Sequence, residues 1–144
     1  MRIISNYISP VDLYDAIRGK GSLETINKLL DRVADINVEI NDSYGTALNM
    51  AAFEGNEKIM SLLLDRGADI NAVGGTYGTA LSAAAYRGRE MIVSLLLDQG
   101  ADVHIVGGDY GTALAAAAYN STNIVSMLLD RGAQWVADMG LRVG

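Results

Sequence analysis

The pentapeptide YGTAL occurs three times in this chain, at residues 44–48, 77–81 and 110–114, with a constant spacing of 33 residues. The units 44–76 and 77–109 also share two alanines, the phrases SLLLD and GAD, and a closing Gly-Gly pair. In a chain of 144 residues, self-similarity at one fixed period predicts a stack of small units, each of which packs mainly on its neighbours.

Each unit begins with a segment that is typical of a short helix. Thr46, Thr79 and Thr112 stand at N-cap positions, and alanine-rich runs follow them: ALNMAAFEG, ALSAAAYRG and ALAAAAYNS. Alanine has the highest helix propensity and a very small side chain. We therefore expect these first helices to pack closely against one another in successive units.

A second helix is predicted in each unit after a short break. The segments are EKIMSLLLD, EMIVSLLLD and TNIVSMLLD, and their apolar residues recur at the three- and four-residue intervals of one helical face. The predicted core positions are Ile59, Leu62, Leu63, Ile92, Leu95, Leu96, Ile124, Met127 and Leu128. Glycines 67, 100 and 132 follow these helices, at the position where a left-handed residue commonly ends a helix. The Gly-Gly pairs beyond residues 67 and 100 favour a tight hairpin.

A further unit is recognisable at the front of the chain. Residues 21–37 align with residues 55–71, except that Val33 replaces the C-cap glycine. Ser9 as N-cap and Pro10 at the first helical position predict where its first helix begins. We expect one domain over residues 1–144, with units at about 11–43, 44–76, 77–109 and 110–133 and a C-terminal tail at 134–144. Lys20, Glu24, Asn27 and Lys28 would give the first unit the polar outer face of a capping repeat.

These features resemble the ankyrin repeat. The period, the ending LLLD-x-GAD and the opening T-x-L-x-x-A are similar to the ankyrin consensus, whose opening is Thr-Pro-Leu-His; Ala47 and Asn49 stand at the Pro and His positions of the first full unit. The phrase GGxYGTAL is similar to the ankyrin arrays of fungal NACHT-type signalling proteins in particular. The resemblance implies an all-α solenoid of four helix-turn-helix units with projecting hairpin loops, acting as a non-catalytic module for protein recognition.

Composition argues against catalysis and against several classes of partner. The chain has no cysteine and one histidine, His104, and we expect that side chain to brace a loop, so no metal, cofactor or catalytic residue is predicted. A net charge of -6 disfavours nucleic acid and anionic lipid. No segment resembles a secretory signal or a membrane span, so a cytoplasmic location is expected.

The binding residues should lie where the units differ. The ankyrin resemblance implies a concave face built from the ends of the first helices and the hairpin tips, and there we expect the partner-binding residues Phe53, Glu54, Tyr86, Arg87, Tyr119, Asn120, Asp42, Ser43, Thr76 and Asp109. Phe53, Tyr86 and Tyr119, named here the helix-end aromatics, would either form a recognition ladder or pack against the next hairpin. For Tyr44, Tyr77 and Tyr110, the hairpin tyrosines, packing between hairpin and helix is favoured.

Two questions stay open at the level of sequence. The first is whether the chain is an interaction module that binds a partner through its concave face or a stand-alone regulatory or inhibitory subunit that occludes an enzyme. At the C-terminal flank, Met127, Leu128 and Leu129 are expected to be left open. Either the tail around Trp135 covers them, or the chain belongs to a longer array, or two molecules associate end to end.

Overall fold

The computed structural model describes residues 10–19 and 21–134. Within these residues the chain forms eight helices and one two-stranded ribbon. The elements are α1 (Pro10–Arg18), α2 (Leu23–Leu30), β1 (Glu39–Asn41), β2 (Gly45–Thr46), α3 (Ala47–Glu54), α4 (Glu57–Asp65), α5 (Ala80–Tyr86), α6 (Glu90–Asp98), α7 (Ala113–Ala118) and α8 (Thr122–Asp130).

Helix starts coincide with the predicted capping residues. The side-chain oxygens of Thr46, Thr79 and Thr112 accept hydrogen bonds from the backbone N–H three residues ahead. Helix α1 begins at Pro10, as predicted, whereas Ser9 and Lys20 lie outside the described residues. Because these caps depend only on local sequence, they repeat in every full unit.

The first helices pack on one another through alanine. Helix α5 lies between α3 and α7, and its residues Ala80 to Ala85 are all buried. The predicted close packing of first helices is therefore confirmed. Small side chains allow this approach because they leave little volume between the helix backbones.

The second helices bury the predicted face. Ile59, Leu63 and Leu96 have exposed fractions of 1% or less, and the residues beside them on this face, such as Leu62 and Leu95, are half-buried. Each of the C-cap glycines 67, 100 and 132 has a positive φ, between 89° and 100°, which confirms the predicted left-handed helix ends.

The hairpins are linked to one another by backbone hydrogen bonds. Strands β1 and β2 pair antiparallel, and the later hairpins are reduced to single bridges between Gly74 and Gly78 and between Gly107 and Gly111. The Thr76 N–H donates to Ser43 O at 2.9 Å, and the Asp109 N–H donates to Thr76 O at 2.7 Å. The short β1–β2 ribbon departs from a purely α-helical fold, because the first hairpin is long enough to form a ladder.

Asp and Asn side chains connect the turns of neighbouring units. The Asp69 N–H donates to Asn37 Oδ1 at 2.7 Å, and the Asp102 N–H donates to Asn71 Oδ1 at 2.9 Å. Asp102 in turn accepts from the His104 N–H at 2.8 Å. The Asp69 and Asp102 carboxylates each accept from the backbone N–H two residues ahead, so they brace the turns of the scaffold.

The last helix pair corrects one expectation. Leu128 is fully buried on the inner face of α8 beside Ile124, which confirms it as a core position and shows that it does not belong to an open flank. Met127 and Leu129 are half-buried. The expected lid around Trp135 lies outside the described residues.

Candidate functional site

Aromatic side chains from hairpins and first helices alternate along one side of the structure. The Phe53 ring lies between two hairpin tyrosines, with its centroid 5.1 Å from that of Tyr44 and 4.8 Å from that of Tyr77. Tyr86 repeats the arrangement one unit later, 5.1 Å from Tyr77 and 4.7 Å from Tyr110. Phe53 and Tyr86 thus each join the hairpin of their own unit to the next one.

The row continues at both ends. Tyr119 lies 5.0 Å from Tyr110, and Tyr14 of α1 lies 6.0 Å from Tyr44. We call the whole row the aromatic seam; its rings belong to Tyr14, Tyr44, Phe53, Tyr77, Tyr86, Tyr110 and Tyr119. Since such ring pairs contribute about 0.5–1.5 kcal/mol each beyond area burial, the seam helps to hold the units in register.

The helix-end aromatics differ in how much surface they offer. Phe53 and Tyr86 are half-buried between tyrosine rings, whereas Tyr119 is 70% exposed. Tyr119 contacts Tyr110 and, more distantly, Tyr86 at 6.1 Å. The rings expected to line a groove are therefore also packing residues, and Tyr119 presents the largest free ring surface among them.

Two arginines lie against the seam. The Arg87 guanidinium carbon is 4.4 Å from the centroid of Phe53, which is a cation–π arrangement between neighbouring units. Arg18 Nη1 donates to the hydroxyls of Tyr14 and Tyr44, at 3.3 Å each. The seam thus binds guanidinium groups of its own chain.

The ring environment raises the pKa of two tyrosines. A hydrogen bond with Tyr86, together with burial and the neighbouring phenols, raises the pKa of Tyr110 to about 12. Burial, with the influence of Tyr86 and Tyr44, raises the pKa of Tyr77. Both hydroxyls are therefore neutral at physiological pH.

The hairpin tips place variable side chains beside the seam. Asp42, Ser43 and Asp109 are exposed, and Thr76 is half-buried. Val73 and Val106, which precede the Gly-Gly pairs, are 53% and 72% exposed. Since the backbones of these tips are tied together by the bonds given above, the side chains are held on a fixed frame.

The remaining expected binding residues lie at the ends of the first helices. Glu54 is half-buried and lines a cleft of about 320 Å³ together with Arg18 and Lys58. Asn120 is exposed, yet its amide donates to Tyr86 O at 2.9 Å. Arg89 reaches Phe53 O in a similar way, at 3.4 Å, so these two side chains hold the ends of α3 and α5.

Sequence reasoning missed Arg18 and Tyr14 as members of this site. Both belong to the first unit, whose first helix departs from the repeat pattern, so the 33-residue spacing does not point to them. The hairpin tyrosines were visible in the sequence. Their interleaving with the helix-end aromatics could have been inferred from the fixed distance between the two sets in every unit.

No arrangement for catalysis is seen in the described part of the chain. Residues 10–19 and 21–134 contain no group of three or more His, Asp or Glu side chains placed to hold a metal ion. No helix in those residues is long and apolar enough to cross a membrane.

The comparisons with known proteins agree with this architecture. A family model described as ankyrin repeats (3 copies) matches residues 13–106 and 74–139, so the chain belongs to the ankyrin-repeat family. Ankyrin repeats generally mediate protein–protein interaction, and the family is typically non-catalytic.

One curated relative shows the same repeat. Inversin from Gallus gallus is 44% identical over 55 residues, which is 38% of this chain and 5% of inversin. The chain therefore spans only a small part of that relative.

Proposed function

We propose that this chain is a four-unit ankyrin array that binds another protein through its concave face, formed by the hairpin tips and the seam-bearing ends of the first helices. One observation carries the proposal: the aromatic seam is continuous along this side of the molecule, while the residues that border it differ from unit to unit. The bordering residues are Asp42, Ser43, Glu54, Thr76, Arg87, Asp109 and Asn120. Repeated rings can supply contact area in every unit, and bordering residues that differ between units can supply specificity for one partner.

The rings supply contact area at low cost in entropy. Phe53 and Tyr86 are already held by their neighbours, so a partner that contacts their free edges does not have to order them. Aromatic side chains are also enriched among binding hot spots. The opposite charges of Glu54 and Arg87 make the surface electrostatically mixed, so specificity depends on the register of the partner's charges.

The partner class is a protein. The net charge of -6 opposes binding to nucleic acid or to anionic lipid. The phrase GGxYGTAL supports a role as the sensor array of a NACHT-type signalling protein in the cytoplasm. A stand-alone subunit that occludes an enzyme is the alternative, and it is favoured if the captured partner is an enzyme whose activity falls on binding.

The test is capture of a partner by matched variants. Tyr119→Ser and Asp109→Asn change exposed residues of the proposed face, whereas Lys58→Ala changes an exposed residue of α4. We expect the two face variants to lose at least half of the captured partner and Lys58→Ala to retain it, with unchanged circular dichroism for all three. Equal capture by all variants would remove the concave face as the binding site.

We also propose weak end-to-end association through the last unit. Tyr119 is 70% exposed, and Met127 and Leu129 are half-buried at the same end. Sedimentation velocity should show a concentration-dependent coefficient that Tyr119→Ser reduces. A coefficient independent of concentration in the parent chain would contradict self-association.

A further inference from the structure

The position of Arg87 shows what the seam can bind. Its guanidinium lies 4.4 Å from the centre of the Phe53 ring, which belongs to the preceding unit. Guanidinium groups are planar and weakly hydrated, so they stack on aromatic faces more readily than ammonium groups do. The Arg87–Phe53 pair therefore shows the geometry in which a cation lies against one ring of the seam.

The same position is filled differently one unit later. Asn120 follows Tyr86 by the same number of residues as Arg87 follows Phe53, but its amide donates to Tyr86 O at 2.9 Å. An asparagine supplies no cation for the Tyr86 ring. Tyr119, the next helix-end aromatic, is 70% exposed, so the seam carries its own cation at Phe53 and presents uncovered ring surface at Tyr119.

An acidic residue adjoins this end of the seam in sequence. Asp109 is exposed and directly precedes Tyr110, whose ring lies 4.7 Å from Tyr86 and 5.0 Å from Tyr119. Arg87 adjoins Tyr86 in sequence, but its guanidinium is directed to Phe53. With a net charge of -6, the whole chain also attracts positive segments.

Resting on the function proposed above, we propose that the partner segment is basic and places an arginine side chain against the rings of Tyr86 and Tyr119, in the manner in which Arg87 covers Phe53. The partner's guanidinium then occupies the position at the Tyr86 ring that Arg87 occupies at the Phe53 ring, because Asn120 supplies no cation there. Asp109, which is exposed and directly precedes Tyr110, supplies the negative charge. The seam is then a row of equivalent cation sites, of which Phe53 is filled from within and the last two are filled by the partner.

The experiment uses a short synthetic peptide of alternating arginine and glycine and the same peptide with citrulline in place of arginine. Citrulline keeps the planar shape and loses the charge. Binding is followed by calorimetry and by the ring resonances of Tyr86 and Tyr119. We expect the arginine peptide to shift these resonances and to bind about fivefold or more tightly than the citrulline peptide.

A pair of variants tests the site itself. Asn120→Arg should place an internal guanidinium on Tyr86 and weaken binding of the arginine peptide about fivefold. Arg87→Asn should uncover the Phe53 ring and strengthen binding of the same peptide. Ser126→Arg and Lys58→Asn make the same charge changes at exposed positions of α8 and α4. These controls should change the affinity less than the seam variants do.

Each other outcome overturns the inference. Equal binding of the arginine and citrulline peptides would show that charge is not read, and equal effects of Asn120→Arg and Ser126→Arg would show general attraction without a ring site. Absence of binding by both peptides would also overturn it. The proposed protein-binding function is judged separately, since capture of a partner that depends on Tyr119 and Asp109 would still stand in any of these cases.

Discussion

Replacement of Gly75 by alanine tests how the hairpins fit together. Gly75 has a φ of +72°, and a Cβ added to it would lie 2.5 Å from Gly45 N and 2.7 Å from Ser43 O. These atoms are backbone of the preceding hairpin, so no side-chain rotation can relieve the contact. The two hairpins would have to move apart.

The expected loss of unfolding free energy is the sum of the backbone strain and of the contacts that this movement would break. Gly67→Ala is the matched control, because Gly67 also has a positive φ, +89°, but a Cβ there would meet nothing within 4 Å. The control should lose about 1 kcal/mol from the left-handed conformation alone. Gly75→Ala should lose that amount, about 1 kcal/mol for the Thr76-to-Ser43 hydrogen bond and about 1 kcal/mol for the loosened Phe53–Tyr77 pair. The total is about 3 kcal/mol.

Equilibrium unfolding in urea measures both variants against the parent. We expect the free energy of unfolding to fall about three times as far for Gly75→Ala as for Gly67→Ala. If the two variants were equally stable, the close approach of neighbouring hairpins would be refuted, and the packing of the seam across units with it.

The remaining predictions concern the core, the seam and the turns. Leu96→Ala should cost about 2–5 kcal/mol, because Leu96 is fully buried, and thermal melts should show a clearly smaller loss for Leu95→Ala, at a half-buried position of the same helix. The pKa of Tyr110 is raised to about 12 from its ordinary value of 10.0. Its contribution to stability should therefore be complete below pH 10 and be lost as pH rises through about 12, and Tyr110→Phe should remove the last step of a tyrosinate absorbance titration. Asn71→Ala removes the acceptor for the Asp102 N–H and should cost about 1 kcal/mol; an unchanged melting temperature would contradict the role of that bond between units.

Local features of the fold could be read from the sequence because each signal is short and is repeated. The capping role of Thr79 and the buried face around Leu96 follow from neighbouring residues on one helix, and the 33-residue period restates both. The positive φ of Gly100 needs no distant contact either. Propensity and period were sufficient for these elements.

The binding surface depends on contacts between units, which local patterns do not determine. Tyr77 was expected to pack between hairpin and helix, but its position between Phe53 and Tyr86 arises only when two units stack at the observed distance. Arg87 looked like a free charge on a binding face, and the structure places it on a ring of the unit before. The burial of Leu128 agrees with its predicted place on the apolar face of α8 and corrects only its second assignment, to an open C-terminal flank.

The most direct test of the proposed function is site-specific photo-crosslinking of the folded chain to its protein partner. A photoreactive residue is introduced in place of Asp42 or Asp109, the exposed acids of two hairpin tips, and in place of Lys58 or Ser126, exposed residues of the second helices α4 and α8. Binding through the concave face predicts one protein adduct shared by positions 42 and 109 and absent from positions 58 and 126. Adducts that form at positions 58 or 126 and not at the hairpin tips would contradict the concave face as the recognition surface.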